Sequence, residues 1–439
     1  MRLSAQTPIP ASVQAPGYER SEQAAGIVHI GIGAFHRAHQ AVYTDDAMTA
    51  GDRDWGIIGV SLRSGDVAAQ LNPQDGLYTV STRSAVGTQL RLIGAVQKVL
   101  VAADDNQAVI DAIAAPTTHI VSFTVTEKGY LRRPDGSLDL AVAAGNPSLY
   151  RFIAAGLAER KAAGRGGLTL LSCDNLAGNG AVLRRLMREY LAACHPDLSA
   201  WFDRACTCPA TMIDRIVPAT IDVDRAAVEA TLGARDEGAV VTEAFSQWVI
   251  EDDFAGPRPR WEAVGAELVA DVAPYETAKL RMLNGAHSAL AYIGLGRGHE
   301  YVHQAIADPD IRPVIERLMV GEAAPTIDAA PGQNLAAYAD ALLGRFANPA
   351  LDHRLIQIAM DGSQKIPQRW LETLAWHRAR GARCPSLEAA IAAWIAFLRS
   401  DHPVDDPLAG KLREAAAGPD AMARLFGKSG LIASDWRPA

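Results

Sequence analysis

Gly26-Ile27-Val28-His29-Ile30-Gly31-Ile32-Gly33-Ala34-Phe35-His36-Arg37 decides how the first half of the chain folds. Gly26 to Ile30 is a short apolar run, which reads as a buried strand. It flows into Gly31-x-Gly33 and then into helix-compatible residues. Strand, Gly-x-Gly and helix in that order is the phosphate-binding turn of a dinucleotide domain. Gly31 permits the tight turn, and Gly33 lets a pyrophosphate approach the helix N-terminus. The third glycine of the usual Gly-x-Gly-x-x-Gly fingerprint is absent, and His36 stands in its place. The broken pattern is weak by itself and needs support from the rest of the chain.

Upstream, residues 1–25 are polar and rich in Pro, Gln and Ser, as in a lead-in strap. Downstream, Trp55 to Val60 reads as a second buried strand. An acid after that strand grips the ribose hydroxyls of NAD, and the next acid is Asp66. Arg63 nearby would suit the 2′-phosphate of NADP; the reading favours NAD. Leu77 to Thr82 and Gln89 to Ala95 read as a hairpin joined near Gly87. His119 to Val125 is a further buried strand and ends in Thr126-Glu127-Lys128-Gly129. Gly167 to Ser172 is another and ends in Cys173-Asp174-Asn175. Ligands of open α/β sheets bind outside the carboxyl ends of strands, which makes Thr126, Glu127, Lys128 and Asn175 candidates. The alternative is that they are turn residues chosen for loop conformation. Met212 to Pro218 repeats the strand pattern with Asp214-Arg215 inside it. A charge there is costly unless paired or functional, and neighbours on a strand point to opposite faces, so the two are not expected to pair with each other.

Past about Ala270 strand-like runs give way to Ala, Leu and Arg at helical spacing. The boundary falls at 268–272, giving a dinucleotide-binding domain with additional strands over 1–270 and an all-helical substrate and catalytic domain over 271–439. Asn334 to Phe346, Leu387 to Arg399 and Lys411 to Phe426 are the clearest amphipathic helices. Pro274 to Ile293 reads as a helix too. At about 100° per residue, Glu276, Lys279, Asn284 and His287 share an arc of roughly 140° on it. A carboxylate, an amine, an amide and an imidazole on one face suit removing a proton from an alcohol and holding the oxygen left behind. The bland alternative is a solvated polar face. Met360 to Arg369 reads as a loop with turn formers and two basic residues, either a connector or a substrate-gripping loop.

Composition narrows the classes. A chain of 439 residues calls for two or three domains. A net charge of −8 argues against nucleic acid as the main partner. No apolar run approaches the ~18 residues of a membrane span, and the first residues lack a signal-peptide core. Five cysteines, only Cys206 and Cys208 close together, fit reduced thiols in a cytoplasmic protein and no metal site. A monomer or weak homo-oligomer is expected.

Tyr275-x-x-x-Lys279 also matches the spacing of short-chain dehydrogenases, where the tyrosine is the acid/base. Those resemble single domains of about 250 residues, and this chain has far more sequence after the lysine. Zinc-dependent polyol dehydrogenases need Cys, His and Glu ligands that do not assemble here. A non-enzymatic NAD sensor would have no reason to keep Lys279, Asn284 and His287 in register.

Four blocks together resemble the long-chain, zinc-independent mannitol dehydrogenase family: Gly31 to Gln40, Ile213 to Pro218, Lys279-x4-Asn284-x2-His287, and Asp361 to Lys365. They span most of the chain. The resemblance implies a Rossmann-like doubly wound α/β domain followed by an all-α domain, and NAD-linked interconversion of a secondary alcohol and a ketone without metal. It assigns Gly31, Gly33, Ala34, Phe35 and Arg37 to the cofactor turn. It makes Lys279 the general base, Asn284 and Asn175 the amides on the substrate oxygen, His287 an orienting group and Glu276 a proton relay. Asp214 and Lys365 match substrate-pocket positions. Where mannitol-oxidising members resemble one another in an arginine, this chain has Gln357. The run Gln357 to Arg369 is more similar to the fructuronate reductases, and Lys365 or Arg369 would serve a sugar-acid carboxylate. The tail beyond about residue 400 is shorter than the family would imply.

Overall fold

Short apolar runs separated by helices build the first of two units, Met1–Val272, in the computed structural model, which describes residues 1–436. Its strands are β1 (Ala25–Ile30), β2 (Gly56–Ser61), β3 (Tyr78–Ser84), β4 (Gly87–Ile93), β5 (Val96–Val101), β6 (Ile120–Phe123), β7 (Thr169–Ser172), β8 (Thr211–Asp214), β9 (Val240–Glu243), β10 (Gln247–Glu251) and β11 (Glu267–Val269). Five of them form a parallel sheet in the order β5-β2-β1-β6-β7. The order reverses at β1, so a switch point opens between β1 and β6.

Strand residues alternate between two cores, as period-two geometry requires. Val28, Val121 and Leu170 face the helices Asn106–Ala114, Leu149–Ala162 and Asn179–Cys194. Ile27, Ile120 and Leu171 face the other way, toward the helix Gln40–Thr49 and the indoles of Trp248 and Trp261. Both faces of the sheet are therefore covered, which is why its inner strands read as largely apolar runs. Two small mixed sheets, β4-β3-β9 and β11-β10-β8, complete the unit. The expected hairpin is β3 and β4, turning at Gly87 with φ +131°. Sequence reading missed β5, the edge of the main sheet. It follows β4 after only Gly94 and Ala95, and Gln97 and Lys98 break its apolar run.

Among the described residues, the second unit, Ala273–Ala439, has no strand pairing beyond a two-residue ladder, Phe426–Gly427 with Ile432–Ala433, and an isolated bridge between Tyr301 and Arg354. Its core surrounds the helix Gly285–Gly296, whose Ala286, Ala289, Leu290 and Ala291 are buried. Asn334 caps the helix Leu335–Phe346 by accepting from Ala337 N. The buried Glu322 carboxylate accepts from Ser386 N and Leu387 N at the start of the helix Pro385–Arg399, where a negative charge is favoured. The helix expected from Lys411 to Phe426 is two, Ala409–Ala417 and Ala421–Leu425, because Gly418-Pro419 cannot continue the first.

Two readings of this unit change. Met360 to Arg369 is no open loop: Asp361, at φ +55°, turns the chain into a helix at Gly362–Ile366 that continues through a π-helical segment, Pro367–Leu371, into Glu372–Arg378. Proline lacks the N–H of an α-helical bond and its ring crowds the preceding turn, and the wider π turn accommodates both. The helix around Lys279 likewise runs Ala273–Ala278, then π-helical Lys279–Asn284, then Gly285–Gly296.

Candidate active site

The Gly-x-Gly turn closes β1 at the switch point. Gly31 has φ +98°, and a Cβ there would lie 2.1 Å from Thr124 O beyond the end of β6, so only glycine fits. Gly33 is exposed at the N-terminus of Ala34–Ala38, and a Cβ added to it would meet nothing closer than Gly31 O at 3.8 Å. That open space beside backbone N–H groups is a cradle of the kind that suits an anion. Where the third glycine is missing, the His36 ring lies on the His29 ring of β1, centroids 3.4 Å apart. Flat stacking supplies the close helix–strand packing that a glycine otherwise provides.

A line of hydrogen bonds fixes this turn from behind. Thr124 Oγ1 donates to Gly31 O at 2.6 Å, so it accepts from His29 Nε2–H at 2.8 Å. Burial pushes His29 down to about 3, so the imidazole is neutral. Its Nδ1 is then an acceptor for the Ser122 hydroxyl at 2.7 Å. Ser122, its one proton spent, needs a donor from the Gln40 amide 2.8 Å away. The amide N–H₂ end of Gln40 therefore faces Ser122; left the other way round, that nitrogen is buried without a partner. Arg37 turns away from the cradle: its guanidinium donates to Gly238 O and lies 5.5 Å from the Tyr78 ring, so its side chain is an anchor for the β3 sheet. Ala34 and Phe35 stay partly exposed at the turn. Asp66 is exposed in the first turn of Asp66–Leu71, bonded to the Ser64 hydroxyl at 2.5 Å.

The neighbouring strand ends are tied together by Asp174. Its carboxylate accepts from Val125 N (3.1 Å), Thr126 N (2.8 Å) and the Tyr130 hydroxyl (3.0 Å). Burial pushes its pKa up while these three donors pull it down. They hold Thr126 at φ +63°, an uncommon conformation for a β-branched residue, with Thr126, Glu127 and Lys128 exposed. On the other side of Asn175, the buried Asn179 amide donates to Asp174 O at 3.1 Å and to Thr211 O at 2.9 Å. Thr211 Oγ1 in turn donates to Ser172 O. The ends of β6, β7 and β8, which carry Thr126, Asn175 and Asp214, thus share one buried polar bracket. Asp214 is the last residue of β8, and Arg215 lies outside the strand with its guanidinium donating to Ala38 O and Glu243 O. The charges expected inside a strand are at its end.

In the second unit the π segment changes the geometry read from a plain helix. Its hydrogen bonds join residues five apart, as Gly285 N to Leu280 O shows, so residues five apart lie closer to one face than they do on an α-helix. Lys279 and Asn284 are such a pair. Glu276 precedes the pair by one turn, and His287 follows it by one. The His287 ring packs on Phe346 (4.7 Å) and against His353 (5.3 Å). Burial, then His353, Arg345 and Arg369, hold it well below the usual imidazole range, so it is a neutral hydrogen-bonding group. Arg369 Nη1 donates to Ser288 Oγ at 2.7 Å and Asn284 O at 3.3 Å. No carboxylate pairs with it among the described residues, and burial pushes it down to about 10. Lys365 Nζ donates to Met360 O at 2.6 Å, and burial followed by Arg369 lowers its pKa.

Residues 25–263 match the mannitol dehydrogenase Rossmann domain, and residues 271–425 match the mannitol dehydrogenase C-terminal domain. The chain belongs to the mannitol dehydrogenase family. Members of this family are oxidoreductases that act on CH–OH groups of polyols and sugar acids, and this chain is one of them. It is 40% identical to the D-mannonate oxidoreductase of Escherichia coli K12 over 96% of this chain and 92% of that one. A D-sorbitol dehydrogenase in substrate-free form superposes with a TM-score of 0.91 at 31% identity, covering 95% of this chain and 91% of the other. The Pseudomonas fluorescens mannitol 2-dehydrogenase in ternary complex with NAD and D-mannitol gives 0.80 at 35% identity, covering 98% and 93%.

Sequence reading singled out the turn, the strand ends and the helix face as candidates, but not Asp174. Asp174 stood in view in Cys173-Asp174-Asn175, but its donors lie 44–49 residues earlier in the chain, and no spacing encodes their convergence. The thiols of Cys206 and Cys208 are buried, and burial pushes them up to about 11 and about 12. They are protonated at neutral pH. No helix among the described residues is long and apolar enough to cross a membrane.

Proposed function

We propose that this chain interconverts a secondary alcohol and a ketone on an acyclic sugar acid, D-fructuronate and D-mannonate first, using NAD and no metal, in the cytoplasm. The observation that carries the choice of a sugar acid is Arg369. Whereas the neighbouring Lys365 already feels Asp361, Asp405 and Asp406, this largely buried guanidinium, held by one hydroxyl and one carbonyl, has room to take a carboxylate of its own. A carboxylate bonded to it gains charge-assisted hydrogen bonds worth about 1.5–3 kcal/mol. The second reading, D-fructose and D-mannitol, draws on the ternary complex of the Pseudomonas relative.

The cradle at Gly33 fits a dinucleotide pyrophosphate, and bound NAD supplies the hydride acceptor. In the oxidising direction Lys279 Nζ takes the hydroxyl proton. Glu276 passes it on toward water. The amides of Asn284 and Asn175 donate to the substrate oxygen as it gains negative charge, contributing about 3 kcal/mol each in the transition state. Neutral His287 orients the neighbouring hydroxyl. Asp214 and Lys365 hold the remaining polar groups, and Thr126, Glu127, Lys128 and Asp66 flank the cofactor.

Steady-state kinetics with NADH test the substrate: fructuronate is expected to turn over well above fructose, and equal or better turnover of fructose overturns the choice. Lys279→Ala tests the base. Activity is expected to fall by about two to four orders of magnitude with NADH binding retained; a variant that keeps its activity removes Lys279 from the reaction.

A further inference from the structure

Nothing in Lys279-Leu280-Arg281-Met282-Leu283-Asn284 demands a π-helix, since these residues favour ordinary helix or tolerate it. The wider turn must be imposed from outside. The second unit has three π segments among the described residues, and Lys279–Asn284 packs on both others, Arg317–Ala323 and Pro367–Leu371. It crosses Pro367–Leu371 at Gly285, where a Cβ would lie 3.3 Å from Arg369 O and 3.7 Å from Trp370 Cδ1. The fully buried Trp370 indole donates to Gly285 O at 3.0 Å, and Arg369 donates to Asn284 O. Both bonds land where the wide turn returns to α-helix.

We propose that this crossing is a positioning device: Trp370, closing on Gly285, holds the π register that brings Asn284 round toward the face of Lys279. In an uninterrupted α-helix the two would diverge by about 140°, and the amine and the amide would no longer converge on one oxygen. Trp370 touches the carbonyl of Gly285 and acts through it. The inference rests on the reading of Lys279 as the base.

Trp370→Phe removes the donor and keeps a ring; Gly285→Ala opens the crossing by a few tenths of an ångström and carries little folding risk, because alanine favours helix. The expected result for both is a fall in kcat of at least about tenfold, with the dissociation constant for NADH unchanged and the KM for the ketose changed less than kcat. Lys279→Ala is measured beside them. If the folded variants keep kcat within twofold while Lys279→Ala is inactive, the positioning role is overturned and the base assignment stands. If Lys279→Ala is itself active, the base assignment falls and the inference with it. A loss that tracks only the folded fraction also overturns the proposal. Should Trp370→Phe not fold, Gly285→Ala decides alone by the same criteria.

Discussion

His36 occupies the place of a glycine, and its stack on His29 has a consequence for acid stability. Both imidazoles are fully buried, and desolvation is the first cause holding each below its usual value, His29 at about 3. An unfolded histidine titrates near about 6.5, so unfolding takes up protons between that pH and the folded value. Stability is therefore complete above about 6.5 and declines as pH falls toward about 3. The unfolding temperature is expected to be lower at pH 5 than at pH 7.5, and the drop smaller in His36→Phe, which keeps a stacked ring without titratable nitrogens. A drop of the same size in parent and variant would show that the pair is not its source.

Among the elements, the turn after β6 depends on a carboxylate from the end of β7. Asp174→Asn keeps the shape and leaves one acceptor oxygen for three donors, so a buried donor goes unsatisfied at a cost of about 1–3 kcal/mol. The expected outcome is a lower urea midpoint and a KM for NADH raised more than kcat is lowered, because Thr126 loses the anchor for its left-handed backbone. An unchanged KM for NADH counts against a cofactor role for that turn. This is also where sequence reading reached its limit. Runs such as Ile57 to Val60 announce themselves, because a parallel strand covered on both faces has few polar positions to spare. Val96 to Val101 does not, because an edge strand tolerates Gln97 and Lys98. Pro367 argued for a loop, as a proline usually does; the helix survives around it because the wider turn makes room for the ring. The helix carrying Glu276, Lys279, Asn284 and His287 was legible from its apolar flanks, as was their grouping as candidates. The tighter pairing of Lys279 with Asn284 was not, because it comes from Trp370, far away in sequence.

Across the whole molecule, each unit holds its own hydrophobic core, three clusters in Met1–Val272 and one in Ala273–Ala439. If NAD binds the first unit, a hundredfold excess over its dissociation constant adds about 2.7 kcal/mol to the stability of that unit. Hydrogen exchange on the intact protein is the measurement. Protection is expected to rise first at Gly31 to Phe35 and Thr126 to Lys128, and a rise confined to residues beyond 272 would contradict the placement of the cofactor. The wide turn at Lys279–Asn284 bears on heredity as well. A ring closed five residues apart holds one residue more than an α turn does. Loss of a single codon between 280 and 283 would leave an ordinary helix in which the amine and the amide stand four apart, about 40° from each other, with the later side chains keeping their side of it. Loss of two codons would carry every later side chain about 100° round, so this helix should be a place where the gene forgives one missing codon and not two.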